Sequence, residues 1–141
     1  MSNNPATQTT PDERTMATLA HALQIAGGFL APLIIFFVRR NSKFVAFHAL
    51  QALIYQLGFM VCWFCVMAIF MLVVFASITS HAGSSTGPPA LFFLFPVMWL
   101  IMLAFMVLTW VLAIGYGIKA GRGEWAEYPV LGGWARRILK I

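Results

Sequence analysis

The sequence is poor in charge. Of its 141 residues, 9% are Asp, Glu, Lys or Arg, where a soluble domain carries about a quarter. None of them falls between positions 44 and 118. A chain folded in water needs a charged surface, so this absence excludes a soluble domain there and leaves lipid as the solvent. Acids are scarcer than bases, four against nine. Asp12, Glu13, Glu124 and Glu127 all flank the apolar stretch, which argues against a proton-coupled carrier working through an intramembrane carboxylate. There are two cysteines, Cys62 and Cys65. Their CxxC spacing lies inside an apolar run and not at an accessible helix start, so they read as packing residues and not as a redox pair. Polar and apolar residues do not alternate, which argues against barrel strands. No phosphate loop and no Ser–His–acid set is visible. The polar start, with no small-residue cleavage motif, predicts no signal peptide.

What is present is apolar. Hydrophobic residues make up 61% of the chain, and the mean hydropathy is +0.85. This composition describes one small integral membrane protein. A helix of about 20 residues rises about 30 Å, the thickness of the hydrocarbon core. Three runs qualify, at about 16–38, 55–78 and 92–118. Gly, Ser and Pro crowd the stretch 79–89, which suits a wet turn. In lipid the backbone must satisfy its own hydrogen bonds, so each run is predicted to be a helix. The expected fold class is an all-α integral membrane protein with three transmembrane helices. Residues 1–10 are read as a mobile polar N-terminus, and residues 11–141 as a single membrane domain.

Thr10-Pro11-Asp12-Glu13 predicts a helix start, with Thr10 capping, Pro11 at the first position and Glu13 completing a capping box. Gly27, Gly28 and Pro32 predict a kink in the first span. The alternative is that this segment dips into the membrane and returns on the same side. A helix over 44–78 would be about 52 Å long, too long for one perpendicular crossing. Residues 44–54 are therefore expected to form a short interfacial helix after the first span. In the tail, 119–141, charge returns. Trp125, Tyr128 and Trp134 suit a headgroup boundary. Residues 134–141 carry Arg136, Arg137 and Lys140 among apolar residues, and predict a basic amphipathic segment lying on the membrane.

Arg39, Arg40 and Lys43 make a basic turn, and the loop 79–89 has no charge. The positive-inside rule puts that turn and the C-terminus in the cytoplasm of a bacterial inner membrane. With three spans, the N-terminus then lies outside. The expected partners are the bilayer and other membrane proteins or a second copy, with no nucleic acid, because no basic recognition motif is present.

The tetrapeptide HALQ occurs twice, placing His21 with Gln24 and His48 with Gln51 at a spacing that shares a helix face. Tyr55 continues the second face. Polar groups within membrane segments face the protein interior. Each pair is read as an interhelical hydrogen-bonding contact. His48 and Gln51 are expected to tie the start of the second span to the 124–129 segment at the same depth. A paired-histidine haem site would need both imidazoles at one depth, and three spans put His21 and His48 at opposite ends. Ala113, Gly117 and Gly121 recur every fourth residue, a spacing that lets helices approach closely.

Three blocks, DERTMATLAH at 12–21, FVAFHALQAL at 44–53 and KAGRGE at 119–124 with Tyr128-Pro129, resemble a family of small bacterial membrane proteins. That domain-of-unknown-function family is grouped with the Tic-like chloroplast protein-import component. The resemblance covers most of 12–130, with Lys119, Gly123, Glu124, Tyr128 and Pro129 as its tail motif. It implies a helical bundle with a link to protein translocation, and it brings no catalytic residues. The function expected is therefore non-enzymatic: a small accessory or scaffold subunit of a membrane complex, without cofactor or metal. The alternative is a haem-binding or small-solute transport protein using His21, His48 and Gln51.

Overall fold

A computed structural model describes residues 9–80, 93–129 and 131–141. Among these residues the chain is helical, in the order α1 (Pro11–Gly27), α2 (Leu30–Val38), α3 (Lys43–Ser80), α4 (Leu94–Gly121) and α5 (Leu131–Leu139). Residues 1–8 of the expected mobile start at 1–10, and most of the loop at 79–89, lie outside the described residues. Two helices, α3 and α4, are long and apolar enough to cross a membrane.

α1 starts where the local chemistry puts it. The Glu13 amide donates to Thr10 Oγ1 at 3.2 Å, and the Thr10 amide donates to Glu13 Oε2 at 2.8 Å. This reciprocal cap satisfies two amides that would otherwise be orphans. α1 ends at Gly28, whose φ of 55° and ψ of −134° suit glycine and few other residues. α2 begins two residues later, with Pro32 in its first turn, where a missing amide hydrogen costs little.

The first span expected over 16–38 is thus not one kinked helix. It is two helices of 17 and 9 residues, and neither reaches the about 20 residues a crossing needs. The ends of the pair meet. Arg39 lies 3.1 Å from Asp12, and Ser42 Oγ donates to Glu13 Oε1 at 2.7 Å. The Ser42 hydroxyl, followed by the Thr10 backbone amide, holds the Glu13 carboxyl below its usual pKa. The residues before α1 and after α2 therefore sit side by side.

The chain forms two compact units. The first comprises residues 1–58 and 110–141. At its centre is the start of α3, where every residue from 44 to 53 is buried. Phe44 packs with Ala17 and Ala120. Phe47, Leu50 and Ala135 form a second cluster, covered by Phe36, Ile54, Leu139 and Ile141. The expected interfacial helix over 44–54 is absent, because α3 runs unbroken for 38 residues. Its first third is sheathed by protein, so no bend is needed to hide it. α5 is amphipathic, as expected of the C-terminal segment. It turns Gly132 and Ala135 inward and leaves Trp134, Arg137 and Ile138 exposed.

The second unit comprises residues 59–109. It pairs the outer part of α3 with the first part of α4, and the Phe70 and Phe95 rings meet at 5.9 Å. Large apolar side chains such as Val61, Phe64, Leu72 and Leu100 are more than 60% exposed. A helix that is apolar all round belongs in lipid. Cys62 and Cys65, read as packing residues, are free and exposed on this surface.

Candidate functional site

The polar residues of the apolar segments converge within the first unit. α1 brings His21 and Gln24, α3 brings His48, Gln51 and Tyr55, and α4 brings Tyr116. The segment after α4 adds Glu124 to Tyr128. α1 approaches α4 closely along the small-residue stripe. A Cβ on Gly121 would stand 3.1 Å from Thr18 Oγ1, a tight contact, while one on Gly117 would make an ordinary contact at 3.5 Å from His21 Cβ. The Thr18 hydroxyl donates to Arg14 O and lies 3.2 Å from Gly117 O. The small-residue stripe, buried at Ala113 as well, therefore receives α1 at Gly117 and Gly121.

His21 Nε2 lies 3.1 Å from His48 Nδ1. The three-span reading separated these rings, but the return of α1–α2 to one side brings them together. The hydrogen positions follow from the partners. Glu124 O can only accept, so His48 Nε2, 3.0 Å away, donates to it. In a neutral ring His48 Nδ1 is then an acceptor and receives the His21 Nε2 hydrogen. His21 Nδ1 in turn accepts from the Tyr128 hydroxyl at 3.3 Å. Four groups thus form one directed chain: Tyr128, His21, His48 and the Glu124 carbonyl. Both imidazoles are fully buried. An iron held by both would have to sit between the nitrogens that now bond each other, so the haem alternative does not fit this geometry.

Gln51 clamps the same segment at two points. Its Nε2 donates to Ala126 O at 3.3 Å, and its Oε1 accepts from the Tyr128 amide at 2.7 Å. Tyr128 is buried between aromatic rings. It stacks on Tyr55 at 5.3 Å and meets Tyr116 at 4.0 Å. Burial pushes the Tyr128 hydroxyl above the usual phenol pKa, so it remains a donor. The Tyr116 hydroxyl donates to Glu127 O at 2.9 Å. Gln24 is 2% exposed and shares the buried site, with its side-chain amide beside the Tyr128 hydroxyl.

The tail motif residues have specific tasks. Gly123 has φ +80°, and a Cβ there would fall 2.6 Å from Thr9 Oγ1. The Glu124 amide caps Lys119 O at 3.0 Å, and Lys119 lies over the Tyr116 ring. Pro129 O accepts from the Leu131 amide at the start of α5. Among the residues expected at the membrane surface, Arg39 pairs with Asp12. Arg136 pairs with Glu127 and covers the Phe47 and Trp125 rings. Arg40, Lys43, Arg137 and Lys140 are exposed. Among the described residues, no three His, Cys, Asp or Glu gather to hold a metal.

Sequence reasoning missed Tyr116, Thr18 and the pairing of Asp12 and Glu13 with 39–42. Tyr116 carried a signal, as a polar residue in an apolar helix beside the Ala113–Gly117 stripe. Thr18 lies three residues before His21, on one face with it.

A family model described as the magnetosome magnetite crystal formation protein family matches residues 12–135. This corrects the resemblance read from the three motif blocks, because the match is to that family and not to a Tic-like import component. No curated protein and no solved structure matches the chain.

Proposed function

The chain belongs to the magnetosome magnetite crystal formation protein family, and from that premise we propose that it is a small, non-enzymatic component of the magnetosome membrane that assists magnetite crystal formation. The observation that carries this reading is the family match over nearly the whole chain, 12–135. The two long apolar helices support residence in a membrane. The polar groups of the first unit support a structural role, since each hydrogen bond of the two histidines and Gln51 holds another part of the same chain. Two crossings by α3 and α4, with α1–α2 entering and returning on one side, fit the contacts of Asp12 and Glu13 with 39–42. By the positive-inside rule, the end carrying Arg39, Arg40, Lys43 and the C-terminal tail faces the cytoplasm.

The test is genetic. The gene would be deleted in its magnetite-forming host, and crystals would be sized by electron microscopy. Altered crystal size or number, restored by the wild-type gene, is the expected result, with the protein in the isolated magnetosome membrane. Unchanged crystals, or absence from that membrane, would contradict the reading.

A further inference from the structure

The histidine pair has a property that membrane residence does not use. Every ring nitrogen is committed: His21 Nε2 and His48 Nε2 donate, and both Nδ1 atoms accept. An added proton must therefore land on an accepting nitrogen. On His48 it would set two N–H groups against each other across 3.1 Å. On His21 it would displace the hydrogen that Tyr128 donates. We propose that His21 and His48 form a proton-binding latch, which holds the 124–128 segment against α1 and α3 while neutral and releases it when a proton is taken up.

The surroundings offer a charged ring no compensation. α1 presents His21 itself and the neutral Gln24. α3 presents Phe44 and Phe47 to the His48 ring at 4.7 and 5.4 Å. α4 presents Tyr116, and the tail presents Tyr128 and the Glu124 carbonyl. Among the described residues, no carboxylate side chain bonds either ring. Burial pulls the His21 imidazole well below its ordinary pKa, and a charge on His48 would pull it further. The sign follows. A histidine exposed by release returns to a pKa of about 6.5, so the released form binds the proton better. The hold of the latch is complete above that pH and weakens as pH falls below it. The segment is also held by the Gln51 amide, by the Tyr116 hydroxyl on Glu127 O, and by backbone bonds of Glu124 to Lys119 and of Tyr128 to Gly132. Two carboxylates on the tail must be separated from the effect, Glu127, paired with Arg136, and Glu124, whose backbone carbonyl His48 holds.

Hydrogen exchange of the full-length protein in lipid nanodiscs, corrected for intrinsic rates, tests the latch between pH 7.5 and 5. Protection of the Tyr128 amide should fall about tenfold per pH unit below 6.5 for each proton taken up, while helix amides in 59–80 keep theirs. A His21→Gln, His48→Gln double variant should show no such slope, and Glu124→Gln and Glu127→Gln should each retain it. A flat wild-type profile, a slope that persists in the double variant, or a slope lost in either glutamine variant of Glu124 or Glu127 would each overturn the proposal. Should the double variant not accumulate, imidazole nitrogen shifts of the wild type decide. Both rings should be neutral and protonated on Nε2 at pH 7.5, and should take up protons over the same range as the release. A charged ring or an Nδ1–H form at pH 7.5 would overturn the latch.

Discussion

Residues 44–53 and 59–80 belong to one helix, yet they live by different chemistry. The first stretch contains His48 and Gln51 and is buried on every side. The second contains no residue more polar than Cys62, Cys65 and the terminal Ser77, Thr79 and Ser80, and most of it is exposed. In water the assignment would be reversed, with the polar stretch outside. Lipid inverts the rule, because an unpaired polar group there costs several kcal/mol while an apolar side chain costs nothing. Polar residues in such a chain therefore mark where protein meets protein.

Substitutions can break this contrast. The largest effect is expected at His48. His48→Ala removes a buried ring and strands the His21 N–H and the Glu124 carbonyl. Each stranded group costs about 1–3 kcal/mol, so the first unit should lose about 3 kcal/mol. Thermal unfolding in detergent measures this, and a melting temperature equal to wild type would refute it. Gln51→Ala frees the Tyr128 amide and Ala126 O and should cost about 2 kcal/mol by the same reasoning, with faster exchange at 126–128. Gly132→Ala comes next. A Cβ there would collide with Glu127 Cβ, and overpacking of this kind costs about 1–3 kcal/mol. Release of α5 should appear as tryptic cleavage after Arg136 and Arg137. The smallest effect is expected at Phe64, which is 63% exposed. Phe64→Ala should change stability by about 0.5 kcal/mol or less. A large loss there would mean that this surface meets a partner and not lipid.

Much of the framework was legible because it is local. The capping box at Thr10 and Glu13 is set by residues three apart. The two long apolar helices follow from absence of charge over tens of residues. The basic, aromatic tail could be set at the depth of His48 by charge alone. The turn at Gly28 was legible as a break but not as a reversal. Gly27, Gly28 and Pro32 permit either a kink or a return, and the choice is made by Asp12 with Arg39 and Glu13 with Ser42, pairs that composition does not connect. Treating 16–38 as a crossing then placed His21 away from His48, and hid the bond between them. The interfacial reading of 44–54 erred for a related reason. It assumed that a helix too long for the bilayer must lie down, when here other parts of the chain wrap its first third.

The return of the chain at Gly28 underlies this whole account, and its sidedness can be measured directly. In a Cys62→Ser, Cys65→Ser background, single cysteines would be placed at Thr10, Asn41 and Ile141. Each would be labelled in sealed vesicles of known orientation with a membrane-impermeant maleimide. The account predicts that all three label from the same side. Labelling of position 10 from the side opposite to position 41 would contradict it.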